Sequence, residues 1–335
     1  MPWQALALAL LALAAAALAG LVLGPAALPP GDVLRELLGA LPFVNIESTL
    51  DARQTAILWE LRAPRVVLGG LVGATLATAG AAYQGVFRNP LADPYLLGVA
   101  AGAGLGATIA LVADAAPGLV APAAFCGAVL AVVLATSLAR TAGSSRTPAT
   151  LILAGVAVAA FLTAVQTFLQ QQRSDSIREV YSWILGRLST VGWSEVWQVM
   201  PYVVVTWLAI TVGRRLLDVL AVGDHEAATL GIRPGGVRVV MVVAATLGTA
   251  AVVAVSGLIG FVGFVVPHTV RLLVGSSYRV IVPLSLVLGA AFLILADLAA
   301  RTVVAPGELP IGVVTAFIGA PFFALVLWAG RGGEL

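Results

Sequence analysis

The sequence predicts an all-α polytopic membrane protein with about ten transmembrane helices. Of the 335 residues, 60% are hydrophobic and only 10% are charged, whereas soluble domains average about 25% charged residues. Apolar segments that suit a bilayer crossing of about 20 residues follow one another along the chain. We therefore treat residues 1–335 as a single transmembrane domain.

The first apolar segment begins at Trp3 and ends near residue 24. A cleaved signal peptide is the alternative. A signal sequence requires a positively charged residue before its apolar run, and no Lys or Arg precedes the run here. We expect a retained span. The expected spans cover about residues 3–24, 61–83, 95–112, 119–138, 151–170, 196–212, 237–255, 259–274, 280–300 and 311–329.

Two long polar connections and one charged stretch separate these spans. The connection at about residues 25–60 mixes charged and apolar residues, which is compatible with short surface helices. The connection at about 171–195 is amphipathic and carries aromatic residues, as an interfacial helix does. The charged stretch covers about residues 214–233.

The orientation follows from the arginines. Ten spans place both termini on one side, and with the N-terminus inside, the short cytoplasmic loops are richer in arginine than the short outer loops. We expect both termini in the cytoplasm. The two long connections then lie outside, and the charged stretch lies inside.

Residues 257–271 form an unusual apolar stretch, because it contains three glycines together with Pro267 and His268. Glycine lets backbones approach closely and proline removes a backbone donor. In lipid, such a segment survives only where neighbouring helices cover it or where it borders a cavity. A cavity-lining or moving element beside a charged cytoplasmic stretch indicates a transporter.

The fifth span ends in a polar stripe of Thr163, Gln166, Thr167 and Gln170. Their i, i+3, i+4, i+7 spacing puts them on one helix face. Two interpretations stay open: a lining for a translocation path, or the ordinary polar end of a membrane helix.

The residue inventory excludes several chemistries. All the basic residues are Arg, so the chain has no Gly-Lys-Ser/Thr loop for ATP phosphates. Cys126 is the single cysteine and a packing role is expected for it; His225 and His268 are too few for a histidine metal site. We expect no catalytic residue, no metal site, no cofactor in this chain and no nucleic-acid partner.

Several segments, in order, resemble the permease subunits of bacterial ABC importers for iron-siderophores, haem and vitamin B12. The resemblance covers about residues 58–330. It is carried by Leu61–Arg65, Gln84–Gly98, Leu153–Gly155, Gly223–Gly231, Gly257–His268, Glu308–Gly312 and Gly319–Pro321.

The resemblance implies a BtuC-like type II importer permease in the inner membrane. Such a permease is a homodimer with a pathway along its two-fold axis. Two ATP-binding cassette subunits, which bind ATP and Mg²⁺, dock from the cytoplasm, and a periplasmic substrate-binding protein delivers cargo from outside. Transport would proceed by alternating access, with membrane lipid around the dimer.

The resemblance also implies roles for particular residues. The segment from Gly223 to Gly231 matches the loop that couples the permease to the ATPase; its residues are Gly223, Asp224, His225, Glu226, Ala227, Leu230 and Gly231. Thr147 and Thr150 fall where the family narrows its cytoplasmic gate.

Arg62, Arg65 and Arg301 match outward-facing arginines that pair with carboxylates on the binding protein. Arginine suits that task because its guanidinium meets a carboxylate with two parallel hydrogen bonds. The alternative is pairing with acids of this chain, such as Glu60, Asp297 or Glu308.

The cargo and the energy source have alternatives of their own. Haem is the first expectation, followed by a ferric siderophore and by cobalamin; even so, His268 is expected to pack between helices rather than to bind iron. An ion-gradient-driven secondary transporter is the alternative function, but that class usually places carboxylates in mid-membrane, and the expected spans contain almost none.

Overall fold

The structure, a computed structural model, describes residues 3–26, 28–40, 46, 49–141, 148–188 and 192–329. Its helices are α1 Trp3–Val22, α2 Pro30–Gly39, α3 Ala52–Ala56, α4 Ala63–Phe87, α5 Val99–Val112, α6 Val120–Thr141, α7 Pro148–Gln172, α8 Ile177–Ile184, α9 Trp193–Val222, α10 Asp224–Thr229, α11 Pro234–Ser256, α12 Val262–Val274, α13 Tyr278–Thr302 and α14 Ile311–Ala329.

Ten of these helices correspond one to one to the expected spans, which confirms the all-α polytopic class. Among the described residues, seven helical stretches are long and apolar enough to cross a membrane, and α5 and α12 are shorter apolar helices. The tenth, α9, has 30 residues and carries Arg214 and Arg215 near its end, so it extends beyond an apolar layer of about 30 Å.

Helix α4 is the centre of the bundle. A π-helical turn, Ile57–Arg62, joins it to α3, so one continuous helix runs from Ala52 to Phe87. Within the most apolar part of that helix 89% of the residues are buried, against 17% in α1. Helices α9, α11, α12 and α13 pack around α4, whereas α1, α6, α7 and α14 form the periphery.

Small residues let the central helices touch backbone to backbone. A Cβ on Gly73 of α4 would lie 2.2 Å from the carbonyl oxygen of Gly289 in α13, and a Cβ on Gly80 would lie 1.9 Å from the carbonyl oxygen of Gly263 in α12. No side chain fits at either contact. The hydrophobic effect does not drive helices together in lipid, because lipid tails are as apolar as the side chains. Close van der Waals packing of this kind therefore holds the bundle together.

Helices α5 and α12 begin inside the bundle rather than at its end. A Cβ on Gly263, the second residue of α12, would lie 2.6 Å from the ring of Pro94. Gly263 in turn lies against Gly80, seven residues before the end of α4, which is about 10 Å of helix. The segments that precede α5 and α12 therefore return into the interior.

Helices extend into two of the expected polar stretches. In the first connection, about residues 25–60, the helix that leads into α4 already starts at Ala52. The charged stretch 214–233 is largely helical, because α9 continues to Val222 and α10 follows. Hydropathy marks where a helix meets water, and a helix need not end there.

Candidate functional site

The expected coupling loop folds as the short helix α10 between two sharp backbone turns. Gly223, with φ +147°, precedes the helix, and Gly231, with φ +80°, follows it. The amide of Gly231 donates to the carbonyl of Ala228, and the amide of Ile232 donates to the carbonyl of Ala227. These two bonds form a Schellman cap, which favours glycine at the left-handed position.

Asp224 anchors α10 to the membrane helices. Arg238 of α11 donates two hydrogen bonds to its carboxylate, at 2.7 and 2.5 Å, and Arg88, just beyond the end of α4, lies 3.4 Å from it. The hydrogen bonds from Arg238, assisted by the charge of Arg88, lower the pKa of Asp224. The helix is therefore tied to α4 and α11 by an ionised carboxylate at neutral pH.

The opposite side of α10 faces solvent. His225 and Glu226 are exposed, and Leu230 is 68% exposed, whereas Ala227 is fully buried below them. A charged and apolar surface on a helix that is anchored from behind is a suitable contact for another protein.

Arg62 and Arg301 lie at the other end of the bundle and bind the C-terminus of α1. Arg62 donates 2.7 Å hydrogen bonds to the carbonyls of Leu21 and Val22 and a further bond to the carbonyl of Ala26. Arg301 donates a 2.6 Å bond to the carbonyl of Gly20. The last carbonyls of a helix lack partners within it and carry partial negative charge, which arginine satisfies.

Asp297 of α13 joins two of the three arginines. Arg65 donates to it at 2.8 and 3.0 Å, and Arg301 lies 3.5 Å from it. Arg65 also reaches Glu308, at 3.0 Å. Asp297 and Arg301 are 2% and 3% exposed.

The outward-facing geometry expected for Arg62 and Arg301 was wrong, because both guanidinium groups are buried against this chain. For Arg65 and Arg301 the alternative of pairing with Asp297 and Glu308 describes the structure. The spacing of Asp297 and Arg301, four residues apart in one helix, is a visible sign of this pair. The role of α1 could not be read from the sequence, since its carbonyls carry no residue signature.

An apolar cavity of about 660 Å³ lies beside the non-helical segment between α11 and α12. We call residues 257–261 the α11–α12 break. Leu258, Gly260 and Phe261 of the break contribute to its wall. The other lining residues come from α14 and from the end of α8 and the residue after it: Ile184, Leu185, Gly312, Val313, Ala316, Phe317, Ala320 and Pro321. Both environments expected for the glycine-rich stretch are present: three residues of the break border the cavity, and most of residues 262–270 are buried by neighbouring helices.

The polar stripe on α7 is divided between two environments. Gln166 is buried and its amide lies against Gly104 of α5, whereas Thr163 and Thr167 are exposed and Gln170 is half-buried. Of these four residues, only the two threonines are exposed on the surface of the single chain.

The structure describes only one of the two residues expected at the gate. Thr150 is half-buried in the first turn of α7, and Thr147 lies outside the described residues; the gate stays a prediction.

His268 packs between aromatic side chains. It is 5% exposed, and its ring packs against the rings of Phe264 and Phe322, with centroids 5.6 and 5.9 Å away. Cys126 is exposed on α6 in the single chain, and its packing role stays a prediction.

Comparison with known proteins gives a consistent picture. The sequence model of the FecCD transport family matches residues 10–329. The cobalamin import system permease protein BtuC of Halobacterium salinarum is 39% identical over 272 residues, which cover 81% of this chain and 73% of that protein. The Fe(3+) dicitrate transport system permease protein FecD of Escherichia coli is 36% identical over 274 residues, 81% of this chain and 85% of that protein.

A solved structure shares the fold over the full length. It is described as an inward-facing conformation of a putative metal-chelate type ABC transporter. The superposition has a TM-score of 0.86 at 25% sequence identity and covers 98% of this chain and 100% of the other.

Proposed function

The chain belongs to the FecCD transport family, and we propose that it imports an iron chelate or cobalamin with energy from ATP hydrolysed by a partner. It is a multi-pass permease subunit of the bacterial inner membrane that works with other ABC transporter components.

ATP would bind to a separate subunit. A phosphate-binding loop needs a lysine, and this sequence has none, since all its basic residues are Arg. Two ATP-binding cassette subunits, with their Mg²⁺, would therefore serve a dimer of this chain.

The observation that carries the proposal is the geometry of α10. A helix that receives a push must resist bending away from it, and α10 is tied by Asp224 to Arg238 and Arg88. Its exposed His225, Glu226 and Leu230 would form the contact with the ATPase.

We propose alternating access as the mechanism. Nucleotide binding by the partners would displace α10, and the helices joined to it would open one end of the pathway while closing the other. Thr147 and Thr150 are retained as the proposed cytoplasmic gate.

The cavity beside the α11–α12 break would contact the passing cargo. Its lining side chains are uncharged and mostly apolar, so they would bind a large chelate weakly and without strong preference for charge. The relatives named above are described for cobalamin and for ferric dicitrate; haem stays a prediction.

A second copy of the chain would complete the cavity. In the single chain the cavity is open along α14, where Phe317 is 75% exposed. A homodimer that joins its copies across this opening would enclose a pathway. A periplasmic binding protein would deliver cargo at the end that contains Arg65. Of the three predicted docking arginines, Arg65 is the one that also pairs with the exposed Glu308.

The ion-gradient alternative gains no support from the described residues. A coupling ion needs a carboxylate that is free to bind it. Asp297 of α13 is committed to Arg65 and Arg301.

The test of the coupling assignment is charge reversal on α10. We expect Glu226→Arg to abolish ATP-dependent uptake in proteoliposomes that contain the complete complex, because the contact with the ATPase loses its charge pattern. Glu179→Arg is the matched control, since Glu179 is exposed on α8 at the other end of the molecule. Uptake unaffected by Glu226→Arg would refute the assignment.

A further inference from the structure

Two structural routes leave Asp224 and meet again at the α11–α12 break. The first route is α11 itself, which begins beside Arg238, the partner of Asp224, and ends at Ser256, immediately before the break. The second route starts at Arg88, the other partner of Asp224. It follows residues 88–98, which we call the link segment.

The link segment is fixed at both of its ends. At one end Arg88 takes a left-handed conformation with φ +50° and lies against Asp224. From there the segment returns into the bundle, where Pro94 packs on Gly263. Asp93 caps the short 3-10 helix Pro94–Leu97 by accepting a 2.9 Å hydrogen bond from the amide of Tyr95.

Tyr95 binds the break directly. Its hydroxyl donates to the carbonyl of Ile259 at 3.0 Å and accepts from the amide of the same residue at 3.2 Å. Both backbone groups of Ile259 lie at a point where the helix is interrupted, and Ile259 is 1% exposed. A backbone group left without a partner inside a membrane protein is costly, so this hydroxyl fixes the position of the break.

The residues on either side of Ile259 face the cavity. Leu258, Gly260 and Phe261 line it, and Phe261 holds a left-handed conformation with φ +69°. A shift of Ile259 would therefore move the cavity wall. We propose that Tyr95 is a positioning residue that couples displacement of α10, through Arg88 and the link segment, to movement of the cavity wall at the break.

This inference rests on the proposed function, because it takes α10 to be the element that the ATPase moves. Transporters typically form their substrate sites at interrupted helices beside a cavity.

The first test removes one oxygen atom. We expect Tyr95→Phe, in the complete reconstituted complex, to lower the amount of cargo moved per ATP about tenfold, while ATP hydrolysis by the partner stays near that of the wild type. Tyr83→Phe is the matched control. It also loses a buried tyrosine hydroxyl bond, to Thr246 at 3.0 Å, but it does not touch the break.

The second test reads the movement itself. In a Cys126→Ser background, Gly260→Cys places a thiol at the cavity wall, where an added Cβ meets no atom within 4 Å. We expect its rate of reaction with a polar maleimide to change when nucleotide binds, and to lose that change when Tyr95→Phe is added. Gly118→Cys, in an open position between α5 and α6, should react at one rate throughout.

The outcomes separate the two proposals. If the wild-type complex moves no cargo with ATP, the proposed function fails. If the wild type transports but Tyr95→Phe keeps its cargo-to-ATP ratio and its nucleotide-dependent labelling, the role of Tyr95 is refuted. If Arg88 and Tyr95 act one after the other along the same route, the double variant Arg88→Ala with Tyr95→Phe should move no less cargo per ATP than the more severe single variant. Losses of transport that add up in the double variant would contradict this route.

Discussion

Asp297 holds together the buried charges at the end of the molecule that contains Arg65. It is buried between Arg65 and Arg301, and Arg301 in turn holds the carbonyl of Gly20 at the end of α1. Without its charge, the buried Arg301 and the half-buried Arg65 would each lose a partner. A buried ion pair adds little to stability as a whole, but breaking one by removing a single partner is costly.

We expect Asp297→Asn to destabilise the chain by about 3 kcal/mol, measured as a fall in thermal unfolding temperature in detergent. Asp175→Asn is the control, because Asp175 is exposed. If these residues served only to dock a binding protein, Asp297→Asn would leave the unfolding temperature unchanged and would weaken affinity for that protein instead.

Gly73 shows how little room the central contacts leave. A Cβ there would lie 2.2 Å from the carbonyl oxygen of Gly289, so one methyl group must push α4 and α13 apart. We expect Gly73→Ala to destabilise the bundle by about 1–3 kcal/mol in the same unfolding assay. Gly260→Ala meets open space and should leave stability unchanged; equal effects of the two substitutions would contradict the close contact.

At the scale of the element, α10 depends on its two terminal glycines as much as on its charges. Gly231 closes the helix with φ +80°, a conformation that costs a residue with a Cβ about 1 kcal/mol. We expect Gly231→Ala to loosen α10 and to lower transport about fivefold, while the folded protein remains intact by size-exclusion chromatography.

The control for that change is Gly236→Ala in the first turn of α11. The φ angle of Gly236 is not positive, and a Cβ added there would lie 3.9 Å from the nearest atom. A similar loss of transport in both variants would show that the cap geometry is not the cause.

Sequence patterns predicted some elements well for identifiable reasons. Asp followed by Pro is a local pattern typical of a helix start, and Asp93 caps the short helix that begins at Pro94. Composition predicted a special segment at residues 257–271 because glycine and proline are conspicuous in an apolar run. The interruption covers the start of that stretch, and Pro267 lies inside α12.

Other features depend on contacts between distant residues and could not be predicted. The hydroxyl of Tyr95 meets Ile259 across 164 positions of sequence, and Arg62 meets Leu21 across 41. Neither pair has a spacing that a periodic pattern would reveal. The buried state of Arg62 and Arg301 follows from the position of α1, which no local signal fixes.

At the scale of the whole molecule, the bundle joins the exposed helix α10 at one end to the cavity beside the α11–α12 break. Helix α4 spans the molecule, with Arg65 near its start and Arg88 just beyond its end, about 35 Å apart along the helix. Around this fixed axis, α11, the link segment and the break connect α10 with the cavity. An importer driven by a partner needs this combination of a rigid centre and a connected, interrupted wall.

The measurement that tests the central claim most directly is uptake into proteoliposomes that contain this chain, its ATPase and its binding protein. Cobalamin, ferric dicitrate, a ferric siderophore and haem would be offered in turn, with ATP or a non-hydrolysable analogue inside. We expect uptake of one of these cargoes only with hydrolysable ATP, and unchanged uptake when a protonophore removes the proton gradient. Uptake that proceeds without ATP and collapses with the protonophore would contradict the account and favour a secondary transporter.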